Sequence, residues 1–125
     1  MQALVIDDSE VIRNMYQRCL APLGFSEVVE ATDGLDGLQQ LEKITPDIVL
    51  LDWNMPRMCG IQFLKKVRLT QPDLPVIMVS SLHDRAQVMD AIRAGVNDYL
   101  IKPFNVDDLA DRITHVIERN RQRKH

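Results

Sequence analysis

The chain has 125 residues, 46% of them apolar and 26% charged, a balance that suits one globular domain with its own core and is too short for two. The net charge of −3 is uneven: from Glu118 to His125 the cations Arg119, Arg121, Arg123 and Lys124 face one acid, so this end carries +3 and the remainder −6. An acidic body argues against nucleic acid as the main partner, and with neither a membrane-length apolar run nor a charged-then-apolar leader the expectation is a cytoplasmic protein with no membrane partner.

In chain order, short apolar runs alternate with helical stripes five times. The runs at 3–6, 47–51 and 76–79 lack in-and-out alternation, so they read as strands buried on both faces. Those at 27–31 and 98–102 are mixed or carry charge at their ends and suit sheet edges. After the first strand, Val11, Ile12, Met15, Tyr16, Cys19, Leu20 and Leu23 repeat at helical spacing, with Ser9 as cap, Pro22 ending the helix early and Gly24 as the stop. Leu35, Leu38, Leu41 and Ile44 mark a second helix closed by Thr45-Pro46, and Ile61, Leu64, Val67 and Leu69 a third. Asp84 opens a fourth with Val88, Met89 and Ile92, ended by Gly95. Asn105 opens a fifth, with Asp107 and Asp108 in its first turn and Val106, Leu109, Ile113, Val116 and Ile117 as its stripe. Such alternation requires right-handed crossovers and a parallel sheet covered on both faces, a doubly wound α/β fold in one domain spanning 1–125. The basic end 118–125 reads as a solvated helix end. Cys19 lies on an apolar stripe, and neither it nor Cys59 has metal-ligand spacing.

Sheets of this kind place ligands beyond the carboxyl ends of their strands. Four of the five runs end in reactive groups: Asp7-Asp8, Asp52, Ser80-Ser81 and Lys102. Taken singly, each has a plain explanation as a turn residue, a cap or a solvated charge. Together they would put three carboxylates, a hydroxyl and an ammonium at one spot. Three carboxylates repel unless compensated, and oxygen-only ligands select Mg2+, or Mn2+, over zinc. With such a cation and Lys102 neutralising a phosphoryl group in transit, Asp52 is placed to attack and form an aspartyl phosphate.

The motifs Asp7-Asp8-Ser9, Asp52-Trp53-Asn54-Met55-Pro56 with Gly60, Ser80-Ser81, and Tyr99 followed by Lys102-Pro103-Phe104 resemble those of response-regulator receiver domains, most of all the stand-alone chemotaxis type, CheY-like, over about residues 3–118. The resemblance implies a five-stranded flavodoxin-like sheet of order 2-1-3-4-5, which periodicity cannot supply. It implies Asp52 as phosphoacceptor; Asp8, Asp52 and the backbone carbonyl of Asn54 as direct metal ligands, with Asp7 acting through water; and Lys102 as the phosphoryl contact, with a Lys102-Pro103 bond often cis. It implies Ser80 and Tyr99 as a switch pair. The partners implied are a histidine kinase or phosphotransfer protein as donor, and a downstream protein, such as the flagellar motor switch, reading the face of the fourth helix, fifth strand and fifth helix. Such a domain catalyses its own phosphoryl uptake and loss, but its job is signalling.

Three positions depart from the family pattern. Cys59 stands where an acid is usual, Ser81 where Ala or Gly is common, and apolar Leu82 where the chemotaxis type often has an acid or amide. The family links that last position to the hydrolytic water, so a longer phosphorylated lifetime is expected than Leu82→Glu would give. Rival readings are a receiver cut from a longer regulator whose basic last helix continues into an output domain, and a receiver-shaped binding module without phosphorylation. The second is disfavoured because every chemical position is filled. A dehalogenase-like phosphatase needs a second aspartate where this chain has Asn54, and a flavodoxin's first loop cradles a phosphate that Asp7-Asp8 would repel.

Overall fold

The computed structural model describes residues 1–123; Lys124 and His125 of the expected basic end lie outside the described residues. The chain runs β1 (Gln2–Ile6), α1 (Glu10–Leu20), a 3-10 turn (Ala21–Leu23), β2 (Glu27–Ala31), α2 (Gly34–Leu41), β3 (Ile48–Asp52), α3 (Gly60–Thr70), β4 (Val76–Ser80), α4 (Arg85–Ala94), β5 (Asp98–Ile101) and α5 (Val106–Arg123). All strand pairs are parallel, in the order β2-β1-β3-β4-β5. The three apolar runs read as central strands are central and buried throughout β3 and β4, and the two mixed runs are the edges. Among the described residues no helix is long and apolar enough to cross a membrane.

Strand alternation divides the core in two. Ala3 and Val5 of β1, Ile48 and Leu50 of β3, Ile77 and Val79 of β4 and Leu100 of β5 face α1 and α5, where Tyr16, Leu20, Leu109 and Ile113 cover them. Leu4 and Ile6, Val49 and Leu51, Val76 and Met78 face the other way, against Phe63, Leu64 and Val67 of α3 and Ala91 of α4. Each fully buried Leu or Ile contributes roughly 1.5–3 kcal/mol by leaving water, and this two-sided burial holds the strand ends in register.

The helix boundaries follow local chemistry. Ser9 accepts a hydrogen bond from the Ile12 N–H at 3.3 Å as the α1 cap, and α1 stops at Leu20, just before Pro22. Asp84 caps α4 through the Ala86 N–H, and Gly95, at φ 100°, closes it in the left-handed conformation that a side chain would strain. Asn105 accepts from the Asp108 N–H at the start of α5.

Several stripe positions differ from expectation. Leu69 is 84% exposed, because α3 buries Gly60, Phe63, Leu64 and Val67, and Leu69 stands about 200° round the helix from Val67. Val11 lies off the α1 seam and is exposed, as are Leu35, Ile92 and Val106. The second helix ends at Leu41 rather than at Thr45-Pro46, since the chain turns through the N–H groups of Lys43 and Ile44 onto the Gln40 carbonyl; Ile44 packs on the core from the loop.

Candidate functional site

The same alternation sorts the reactive groups. Continuing each strand by its last residue or the next puts Asp7, Asp52 and Lys102 on the α1/α5 side of the sheet, and Ser80 and Tyr99 on the side of α2, α3 and α4. Register then brings them to one edge: β1 and β3 pair Ile6 with Leu51, β3 and β4 pair Asp52 with Val79, and β4 and β5 pair Ser80 with Ile101.

Carboxylate oxygens of Asp7, Asp8 and Asp52 lie within 4.8 Å of one another. Asp7 and Asp52 are almost wholly buried, and Asp8 is exposed at the rim. The Lys102 ammonium sits 3.5 Å from Asp7 Oδ2 and 3.5 Å from Asp52 Oδ1, and the Lys102-Pro103 bond is cis. Asp7 Oδ1 accepts the Ser9 N–H at 2.9 Å, and the Asp7 carbonyl accepts from Arg13 Nη1 at 2.8 Å, so the first loop is braced on both sides. Burial and the neighbouring Asp7 charge push the Asp52 carboxyl above its ordinary range, while Lys102 and the Asn54 N–H pull it back. Three carboxylates thus face one ammonium. This excess of negative oxygen donors fits a hard divalent cation, and nothing in the donor set is soft enough to favour zinc.

Asn54 is exposed in the loop that follows β3. Gly60 makes that loop's tight return: its N–H donates to the Trp53 carbonyl at 2.8 Å, and a Cβ there would overlap the Asp52 carbonyl oxygen. On the other face, Ser80 is fully buried, and its Oγ accepts the Leu82 N–H at 3.1 Å. The Tyr99 hydroxyl donates to the Leu82 carbonyl at 2.6 Å, and its ring meets Trp53 edge-on. Asp7, Asp8, Asp52 and Lys102 therefore come together at one end of the sheet, and Ser80 and Tyr99 are joined through Leu82 on the other face. Cys59 caps α3 and is half-buried.

Two features of this region are not legible as site residues. Arg57, in the left-handed backbone region at φ 65°, donates from Nε to buried Asp33 at 2.6 Å and ties the loop before α2 to the loop after β3. That bond holds the Asp33 carboxyl below the ordinary carboxylate range. Asp33 is recognisable as a cap before Gly34, but nothing local names its distant partner. Tyr16, read from the sequence as core, is buried there with a hydroxyl that has no hydrogen-bond partner among the described residues.

The family of the response regulator receiver domain matches residues 3–114. The chain is 40% identical over 121 residues to chemotaxis protein CheY-3 of Vibrio cholerae, covering 95% of this chain and 93% of that protein. It is 39% identical over 121 residues to chemotaxis protein CheY of Pseudomonas aeruginosa, covering 95% and 98%. Among solved structures, the CheY-like receiver domain protein of Methanospirillum hungatei superposes with a TM-score of 0.91 at 26% identity, over 98% of this chain and 97% of that one.

Proposed function

The chain belongs to the response regulator receiver domain family, signalling switches activated by phosphorylation, and from that premise we propose that Asp52 is its phosphoacceptor. The observation that carries this reading is the placement of Asp52: a nearly buried carboxylate at the end of a central strand, beside two more carboxylates and one ammonium.

One Asp52 carboxylate oxygen attacks the phosphorus of a phosphohistidine on a histidine kinase or phosphotransfer protein. The P–N bond breaks, its electron pair returns to the imidazole, and the new O–P bond makes a mixed anhydride. Asp8, Asp52 and the Asn54 carbonyl would hold Mg2+ directly and Asp7 through a water; the ion supplies positive charge against the phosphoryl oxygens. Lys102, already 3.5 Å from Asp52, turns its ammonium to the phosphoryl group. In the loss step a water oxygen attacks the phosphorus, the Asp52 O–P bond breaks with its electron pair returning to the carboxylate, and inorganic phosphate leaves; the domain thus conducts self-phosphorylation and autodephosphorylation without turning over a substrate pool.

The Ser80 hydroxyl donates to the phosphoryl oxygen and gives up the Leu82 N–H, and the Tyr99 ring follows from its bond to Leu82. The output is the α4-β5-α5 face. Ile92, Ile101 and Val106, apolar yet exposed, lie there, which explains why two helical stripe positions turn to solvent. We place residues 1–125 in one receiver unit that works in the cytoplasm. The curated relatives are chemotaxis proteins, so a flagellar motor switch is the downstream partner to test first.

Intact mass after incubation with a small acyl phosphate and Mg2+ tests the central step. A single phosphoryl adduct that disappears in Asp52→Asn and in the presence of a chelator is expected. An adduct retained in Asp52→Asn would place the acceptor elsewhere, and no adduct in the unsubstituted protein would leave a receiver-shaped binding module.

A further inference from the structure

Tyr16 is wholly buried in α1, and its hydroxyl has no hydrogen-bond partner, the sole such buried side-chain group among the described residues. Its ring packs parallel to Phe104, centroids 6.3 Å apart and planes at 11°, two residues beyond Lys102. α1 covers the sheet face on which strand alternation sets Asp7, Asp52 and Lys102. A phenylalanine would make the same stack without stranding a donor, so packing accounts for the ring and not for the oxygen.

On that sheet face Asp7 and Asp52 are the acceptors close enough for their charge to reach the Tyr16 oxygen. Burial first, and then the negative charges of Asp7 and Asp52, hold the phenol far above its ordinary range, so it is a donor at every working pH. Asp7 in turn has a replaceable partner: Oδ1 is held at 2.9 Å by the Ser9 N–H, but Oδ2 has only the Lys102 ammonium at 3.5 Å, which Asp52 shares. The proposed function, on which this inference rests, brings a divalent cation to these carboxylates, and its positive charge drives the Lys102 ammonium away from Asp7.

We propose that Tyr16 is a positioning residue for the acidic pocket, donating its buried hydroxyl to the Asp7 carboxylate in place of Lys102 when the pocket is loaded. The donor left idle in the unloaded fold is thereby satisfied in the loaded one, and Asp7 keeps its orientation beneath the cation. The effect of removing the hydroxyl therefore has opposite signs in the two states.

The test compares the unsubstituted full chain with Tyr16→Phe, by calorimetric titration with Mg2+ and by denaturant midpoint without it. Tyr16→Phe is expected to bind Mg2+ roughly tenfold more weakly, the lower end of the effect of losing a hydrogen bond to a metal-site carboxylate. Its metal-free midpoint should be equal or higher. Mg2+ should also produce a tyrosine difference absorbance band in the unsubstituted protein that is missing from Tyr16→Phe. Unchanged Mg2+ affinity in Tyr16→Phe overturns the inference alone. So does a lowered metal-free midpoint, which shows that the hydroxyl already has a partner in the unloaded fold. If the unsubstituted protein binds no Mg2+, the inference and the proposed function fall together.

Discussion

Trp53 and Tyr99 meet edge to face, their ring centroids 6.5 Å apart and their planes at 68°. Trp53 directly follows Asp52, and the Tyr99 hydroxyl is tied to the Leu82 carbonyl at 2.6 Å in the loop after Ser80. The two ends of the proposed switch therefore share one aromatic contact, and Trp53 emission should change on phosphorylation. Tyr99→Ala removes an aromatic pair worth about 0.5–1.5 kcal/mol and a hydrogen bond worth about 1 kcal/mol. It should lower stability by at least their sum, since burial of the ring is lost as well, and abolish most of the emission change, while Asp52 still takes up phosphate by intact mass. An emission change of undiminished size in Tyr99→Ala would detach Tyr99 from the switch.

The electrostatics of Asp52 predict that replacing it stabilises the unloaded protein. Burial and Asp7 raise its folded pKa above the unfolded value, so the folded state holds the proton more tightly than the unfolded state does. The stability this gives is complete below the unfolded carboxyl pKa of about 3.9 and is lost as pH rises through the folded pKa. Asp52→Asn, neutral at every pH, should therefore have the higher melting temperature at pH 7 without metal. The advantage should shrink as pH falls into the carboxylate range. Melting curves from pH 3.5 to 8 check this; a gap that widens on acidification reverses the sign.

Leu82 presents its backbone to both members of the proposed switch, its N–H to Ser80 Oγ and its carbonyl to Tyr99. Its half-buried side chain is apolar and has no group to orient a hydrolytic water. Leu82→Glu leaves the backbone groups in place and should shorten the phosphorylated lifetime severalfold. Decay of the phosphorylated mass species after donor removal measures it, and equal decay rates for the two proteins would sink the idea.

Gly60 admits no side chain. A Cβ there would overlap the Asp52 carbonyl oxygen and lie 3.0 Å from the Trp53 Cα, and both obstacles are backbone that cannot swing aside. Gly60→Ala should cost roughly 1–3 kcal/mol in denaturant unfolding, the range of overpacking a filled site. It should also weaken Mg2+ binding by shifting the loop that carries Asn54. A stability loss under 0.5 kcal/mol by the same unfolding, roughly the noise of a neutral exposed substitution, would show that the loop yields.

The sheet was legible because burial is written into composition. Runs buried on both faces have no polar residue to place outward, so Val49, Leu50 and Leu51 or Val76 to Val79 admit one reading. Helix stripes were less secure. A leucine or isoleucine on a helix does not say whether the surface it meets is core or partner, and Leu69, Ile92 and Val106 proved to face solvent. The second helix ran past its true end on the page because Ile44 keeps the helical rhythm after the backbone has turned away.

The reactive groups could be named from the sequence because each lies at a strand terminus, and a parallel sheet gathers its strand termini by construction. The sequence alone thus determined the fold class, the edge where chemistry would collect and the oxygen-rich character of that edge. Tertiary structure decided what depends on distance across the chain: Lys102 lodged between Asp7 and Asp52, Arg57 reaching back to Asp33, and the Tyr16 hydroxyl buried without a partner. The physical reason is one of range. Backbone propensity and hydrophobic period act over a few residues and are printed in order, whereas the strength of a charge or a hydrogen bond depends on separations and burial that exist only once distant segments have packed.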